Sequence, residues 1–396
     1  MKYSIQSETL TNIADAIRAK NGETELYTPA QMAQKIIDLP SGSPISAKPK
    51  DINFFDYDGT LVYSYTLDEV QSLTDLPPAP KHSGLVFQEW NWSLSDIKAL
   101  TRPMNIGATY ITDDGKTRLH IRIWDIARPD VSLHLWQTVA NGVNFDWGDG
   151  SPTRTVAGTG TVNISHTYTD TGDYVISLTV SDGCNVALGP TDKPGNVMAV
   201  GSKCLKGVYI GNNVIGIPSY AFRDNHALSE ISIPRSASSI AQYAFLNCSS
   251  LKHITFPSGI PYCSGADSSR SLTSVAIPNG ISSVSGFVND YALASITIPD
   301  GITEIGSSAF QGCSTLASII IPASVTKIGA YAFDSCYNMV EYHLLPVTPP
   351  TLANKNAFNG IKSGCIIYVP NGSLGAYKTA TNWAVYANYM REEEMT

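Results

Sequence analysis

Between about residues 202 and 370, apolar and polar positions repeat with a period in the low twenties. Runs ending in an apolar residue and proline fall at Ile233-Pro234, Phe256-Pro257, Ile277-Pro278, Ile298-Pro299, Ile321-Pro322, Leu345-Pro346 and Val369-Pro370, in steps of 23, 21, 21, 23, 24 and 24 residues. Between them Ala-Phe recurs at Ala221-Phe222, Ala244-Phe245, Ala309-Phe310, Ala332-Phe333 and Ala357-Phe358. In the unit IGSSAFQGCSTLASIIIP, Leu316, Ile319 and Ile321 point inward while Ser318 and Ile320 point outward, which predicts a short strand. Proline ends it, having no N–H to extend a ladder. Ala309-Phe310 supplies an apolar plug on the opposite wall, from a turn or short helix. One unit cannot bury both of its faces, so neighbours stack and the core becomes a continuous column. The unit SGIPYCSGADSSRSLTSVAIP has no Ala-Phe and the next has only Gly286-Phe287, which predicts a thin or irregular wall there.

Because Ala-Phe, Leu and Ile-Pro keep their relative spacing, this stretch resembles the leucine-rich repeats of the BspA type, common in bacterial surface proteins and phage-encoded proteins. The expected solenoid spans residues 204–370. Its outward strand positions are Glu230, Ser232, His253, Thr255, Ser274, Ser295, Thr297, Ser318 and Ile320. Mostly small and hydroxylated, they form a candidate concave binding face suited to a saccharide or a flat protein surface. The competing reading is a merely soluble sheet surface. Residues 371–396 are expected to cover the open end with one or two helices carrying Leu374, Tyr377, Trp383 and Tyr386, and Glu392–Glu394 to be a solvated tail.

Ahead of the solenoid the pattern changes to alternation. From about Arg118 to Cys184 it is all-β, with Phe145 and Trp147 on one strand and Tyr174, Ile176, Leu178 and Val180 on another. The residues WGDGS, HTY at His166–Tyr168 and GDY resemble the PKD domain, an immunoglobulin-like sandwich placed here at 126–184. Asp149 is expected to bond turn amides and Tyr168 to act as a corner tyrosine. His166 reads as structural. Residues 185–203, rich in Gly and Pro, read as a linker.

Residues 1–44 predict two short helices. Leu10, Ile13, Ala14 and Ile17 fall at helical spacing, and Thr28-Pro29-Ala30-Gln31 opens the second helix as a capping box with proline at its first position. Residues 45–125 read as a small α+β domain. There DINFFDYDGTLVYSY predicts a hairpin turning at Tyr57-Asp58-Gly59, and TYITDDGKTRLHIRI a second turning at Asp114-Gly115. Helices are expected from Thr66 and after Ser93 or Ser95. Trp90 and Trp92 read as core, with a sugar-stacking platform as the alternative.

Asp56, Asp58 and Gly59-Thr60-Leu61 after an apolar strand also match the first motif of haloacid-dehalogenase-type phosphatases. That resemblance implies Asp56 as nucleophile on Mg²⁺ and Asp58 as proton carrier. Against it, the later lysine and acidic pair of a parallel α/β sheet are not evident, so no catalytic residue, metal or cofactor is expected.

The net charge of −8, without a Lys/Arg run, argues against a nucleic-acid partner. No apolar run is long enough for membrane insertion, and MKYSIQSETLTNIADAI has no signal-peptide core, so no secretion signal is expected. Of seven cysteines, Cys248, Cys313 and Cys336 each follow a repeat Phe by three residues, the placement of small buried hydrophobes rather than of a disulfide framework. Finally, IADAIRAKNGETELYTPAQMAQKIIDLP, with residues on to about 125, resembles phage and prophage tail-associated proteins of Gram-positive hosts. That likeness implies a multidomain, mainly β, non-enzymatic tail fibre or tail-tip component of the virion, made in the host cytoplasm. Its N-terminal region would dock on other tail or baseplate proteins and its repeats on a host-surface saccharide or protein. Tail fibres are often trimers, so the likeness extends to a homotrimer, although no heptad supports one. The alternative is a bacterial leucine-rich-repeat surface adhesin.

Overall fold

The structure, a computed structural model, describes residues 50–393. The helical pair expected over residues 1–44 lies outside the described residues. What is described is mainly β, with few and short helices.

A small mixed sheet comes first, in strand order β2-β1-β4-β3: β1 (Ile52–Phe55), β2 (Leu61–Tyr65), β3 (Leu85–Trp90) and β4 (Met104–Thr112). β1 and β2 pair antiparallel across the expected Tyr57-Asp58-Gly59 turn, and β1 runs parallel to β4. A helix at Leu67–Gln71 starts with a full capping box between Thr66 and Glu69, and Ser93 caps the helix Leu94–Lys98. Their buried Val70 and Ile97 share a core with Phe54, Trp90, Trp92 and Tyr110. The two tryptophans are therefore core residues, and the stacking-platform alternative falls because neither presents an open ring.

The hairpin expected at Asp114-Gly115 does not form. β4 already has neighbours on both edges, so β5 (Thr117–Ile123) leaves the turn for a different sheet. It pairs with β10 (Gly172–Val180), which in turn pairs with β7 (Val143–Asp146) and, through it, β8 (Arg154–Thr155). The facing sheet holds β6 (Asp130–Gln137) and β9 (Gly160–Thr167). The sandwich thus begins before the expected residue 126, because TRLHIRI buries Leu119, Ile121 and Ile123 in its core. Tyr168 donates its hydroxyl hydrogen to the Trp147 carbonyl at 2.9 Å, and Asp149 accepts from the Ser151 amide at 3.0 Å. His166 lies on the Trp147 ring and bonds Asp149 at 2.6 Å, a structural position as expected.

Residues 185–203 are not a free linker. β11 (Val186–Ala187) and β12 (Met198–Val200) both pair with β6, with Leu188 and Val197 buried beside them. Both sandwich sheets then run on into the solenoid. β13 (Leu205–Tyr209) pairs antiparallel with β5 and parallel with β15 (Glu230–Ser232). β14 (Val214–Ile217) runs parallel to β11 and to β16 (Ser239–Ile240). The sandwich is thereby the first cover of the repeat column, whose apolar core is continuous with its own.

Along the column Phe222 stacks on Phe245, and Phe287, Phe310, Phe333 and Phe358 form a run with centroids 5.2–5.8 Å apart. The plug is a tight turn rather than a helix, entered with a left-handed residue just before Ala-Phe at Tyr220, Tyr243, Ser308 and Tyr331. All seven cysteines are free thiols, and the three at the recurring position show why they recur. Cys248, Cys313 and Cys336 donate to the carbonyls of Phe222, Phe287 and Phe310, one repeat back, at 3.0–3.2 Å. Ser269 does the same to Phe245 at 3.2 Å.

In the aberrant unit Ala266 replaces the aromatic plug, so the wall is thin in side chains. Its backbone stays regular, with Phe245 and Ala266 amides bonding the Gly265 and Gly286 carbonyls. At the far end Tyr377, Trp383 and Tyr386 are buried as expected, bonding the carbonyls of Pro346, Pro350 and Lys355. The acidic tail differs from expectation. Met390–Glu393 is a strand, parallel to Ile366–Pro370, and the Glu392 carboxylate caps the Gly372 and Leu374 amides.

Candidate binding face

The strand ladder predicted as the binding face is divided between a covered half and an open half. The small sheet lies across the first repeats. Ser232 is buried and donates to the Tyr110 carbonyl at 2.8 Å. Thr255, 5 % exposed, lies against Gly107 of β4, where no Cβ would fit. His253 is 2 % exposed and stacks on Phe55 at 5.5 Å, its two nitrogens bonded to Ser274 and Thr255 hydroxyls at 2.7 and 2.9 Å. Burial pushes its imidazole down to about 4, so it is neutral at ordinary pH.

Thr297 accepts from the Asn105 amide at 3.2 Å, and the strand expected over Ser295–Ile298 is not formed. Glu230 accepts from the Tyr209 hydroxyl at 2.5 Å. Six of the nine candidate residues, Glu230, Ser232, His253, Thr255, Ser274 and Thr297, are thus engaged inside the chain. Ser232, His253 and Thr255 are withdrawn from solvent as well, so they are corrected from binding to docking residues. Ser295 and Ser318 are exposed and Ile320 half-buried.

The turn with the phosphatase-like motif belongs to this docking. A Cβ on Gly59, which sits at φ +88, would stand 2.6 Å from the Cβ of His253. Asp58 closes the turn by accepting from the Thr60 amide at 2.8 Å. Asp56 is buried and bonds His82 at 2.7 Å, with its pKa raised by burial. Asp114 lies on the turn after β4, paired with Arg118 at 2.8 Å. Among the described residues no group of three or more His, Cys, Asp or Glu is placed to hold a metal, and no helix is long and apolar enough to cross a membrane.

The open half continues beyond Ile320 onto residues the sequence reading did not reach. Ser318–Ile321, Glu341–Leu344, Ile366–Pro370 and Met390–Glu393 form one parallel sheet. Register places Ile320 beside His343, His343 beside Tyr368, and Tyr368 beside Arg391. His343 stacks on Tyr368 at 4.9 Å and 19°, between the Glu393 carboxylate at 2.7 Å and that of Glu341 at 3.4 Å. The signal was available: Glu341 and His343 stand one period after Ser318 and Ile320. The result is an aromatic platform with hydrogen-bonding groups at its rim, held on rigid strands.

Residues 200–286 and 283–375 match the family described as the BspA type leucine rich repeat region (6 copies). This part of the chain carries BspA-type leucine-rich repeats. A solved structure, a leucine-rich repeat protein from Bacteroides ovatus ATCC 8483, is similar at 22% identity and a TM-score of 0.32, over 43% of this chain and 61% of that one. The chain thus spans less than two thirds of that protein's length. Among curated proteins no match is found.

Proposed function

We propose that this is a non-catalytic attachment protein of the leucine-rich-repeat adhesin type, which binds a cell-surface saccharide or protein through the open C-terminal half of its strand face. The observation that carries this is the uncovered ladder Ser318, Ile320, His343, Tyr368 and Arg391 on a solenoid whose other half is occupied by its own small domain. Rigid concave sheets recognise without rearrangement, so little ordering entropy opposes binding. In this reading the sandwich, PKD-like in its motif residues, is a spacer.

A second reading, favoured by the resemblance of residues 1–125, keeps the same face and makes the chain a tail fibre or tail-tip component of a phage virion. It would be a homotrimer docked on other tail proteins through residues 1–44. The two readings differ in where the chain resides: antibody labelling of intact cells free of any prophage supports the adhesin, and labelling of particles alone supports the tail component.

For the face itself, fluorophore-labelled full-length chain is applied to intact bacterial cells. Tyr368→Ala, with an unchanged melting curve, is expected to weaken binding about tenfold, the scale of one lost stacking contact with its hydrogen bonds. Undiminished binding by Tyr368→Ala and His343→Ala together would remove this face from the function.

A further inference from the structure

The small domain, the sandwich and the first repeat converge on a cleft of about 430 Å³, lined by Tyr57, His82, Ser83, Arg118, His120 and Tyr209. It adjoins a hollow of about 260 Å³ that shares His120 and Tyr209 and reaches Glu230. We propose that this cleft is a second ligand site, separate from the strand face, for an uncharged, hydroxyl-rich ring compound of the pyranoside class.

Its polar groups are held in place from behind. His82 is fixed by buried Asp56 at 2.7 Å and set edge-on between Tyr57 and Tyr110 at 5.0 and 5.1 Å. Tyr209 is fixed by Glu230 at 2.5 Å. His120 stands edge to face against Tyr209 at 4.8 Å and lines both hollows. Burial lowers its pKa, so the ring offers one N–H donor and one acceptor. The half-buried imidazole faces the two hollows, where a ligand's polar atom can bond it.

The charges decide the class. Arg118 is answered by Asp114 at 2.8 Å, and Lys206 by Asp173 at 3.4 Å. With these cations already paired, the cleft has no free positive charge to capture a phosphate or carboxylate, and its carboxylates Asp56 and Glu230 are taken up by His82 and the Tyr209 hydroxyl. What remains is a pair of tyrosine rings 6.0 Å apart, two imidazoles and the Ser83 hydroxyl, which match the C–H faces and hydroxyls of a sugar ring. The volume falls in the ~300–1,000 Å³ range of small-molecule sites, and junctions between domains are where such sites concentrate.

Saturation-transfer NMR on the full-length chain tests this with methyl pyranosides of glucose, galactose, mannose and N-acetylglucosamine as probes. At least one is expected to receive saturation on its ring protons. His120→Phe keeps the packing on Tyr209 but has no polar atom, and is expected to weaken that binding about tenfold, the worth of a hydrogen bond with its desolvation. His120→Gln, which retains a donor and an acceptor, should restore part of it. In a Tyr368→Ala background, which removes the strand-face contribution, the remaining transfer should show the same loss on His120→Phe, which separates this site from the strand face. No transfer to any of the four probes, or transfer indifferent to His120→Phe, overturns the proposal.

Discussion

Gly107→Val is expected to prise the small domain from the solenoid and to cost at least about 3 kcal/mol of stability. Gly107 has extended backbone that any residue could adopt, so its requirement is close approach alone. A Cβ there would fall 2.7 Å from the Ala276 Cβ and nearer still to the Thr255 side chain. Overpacking of this kind costs about 1–3 kcal/mol. The bonds beside it fail together: Asn91 to the Phe256 and Ala276 carbonyls at 3.1 and 3.2 Å, and Trp92 to the Ile277 carbonyl at 2.8 Å. Each is buried, and losing bonds of this kind costs about 1 kcal/mol apiece. Urea unfolding followed by tryptophan fluorescence should resolve an early transition in the variant, with new protease cleavage within residues 50–112. Thr255→Ala added to Gly107→Val should recover part of the loss. A single transition at the wild-type midpoint would mean that the contact does not hold the two parts together.

Asp290→Asn is expected to stabilise the protein near neutral pH by about 1–3 kcal/mol, the scale of an unsatisfied buried polar group. Asp290 occupies the column position of Cys248, Ser269, Cys313 and Cys336, where a side chain donates to the plug carbonyl one repeat back. It is fully buried; one carboxyl oxygen accepts from the Ser269 amide at 2.7 Å and the other has no partner. Burial first, and then neighbouring Asp267, push its pKa well above the ordinary carboxyl range.

The folded state therefore takes up a proton that the unfolded chain has released. Its contribution is fully present below the unfolded carboxyl pKa of about 4 and is lost as pH rises through the folded value. Wild-type stability should fall on going from about pH 4 toward neutrality, and the variant should lose most of that slope. Its advantage should shrink toward about pH 4, where the acid already carries its proton. Thermal melts of both proteins across that range decide it; parallel curves would show that Asp290 is not the group that titrates.

What the sequence revealed follows the range of the interactions involved. Ala-Phe, Ile-Pro and the cysteine spacing are legible because each repeat meets its neighbour at a fixed sequence distance, so one contact is written several times. The cover formed by Tyr377, Trp383 and Tyr386 is legible for the same reason, since an open column end demands apolar residues next in line. Docking of the small domain was not. Gly107, Asn91 and Trp92 meet Thr255, Ala276 and Ile277 across more than 140 residues, and each contact occurs once. Ser232, His253 and Thr255 looked like a solvent-facing ladder because alternation says which side of a strand a residue takes, not what lies on that side. TRLHIRI likewise declared itself a strand without declaring its sheet. His343 and Tyr368 were within reach of the repeat register, whereas the strand Met390–Glu393 was hidden by its charge.

The junction at β5–β13 and β11–β14 has a mechanical corollary. Two hydrogen-bonded ladders on opposite walls tie the sandwich to the first repeat, so there is no hinge between them about which to swivel. A load on the far end of the column travels through both ladders as through a stiff arm, and the open strand face keeps its aim relative to the sandwich.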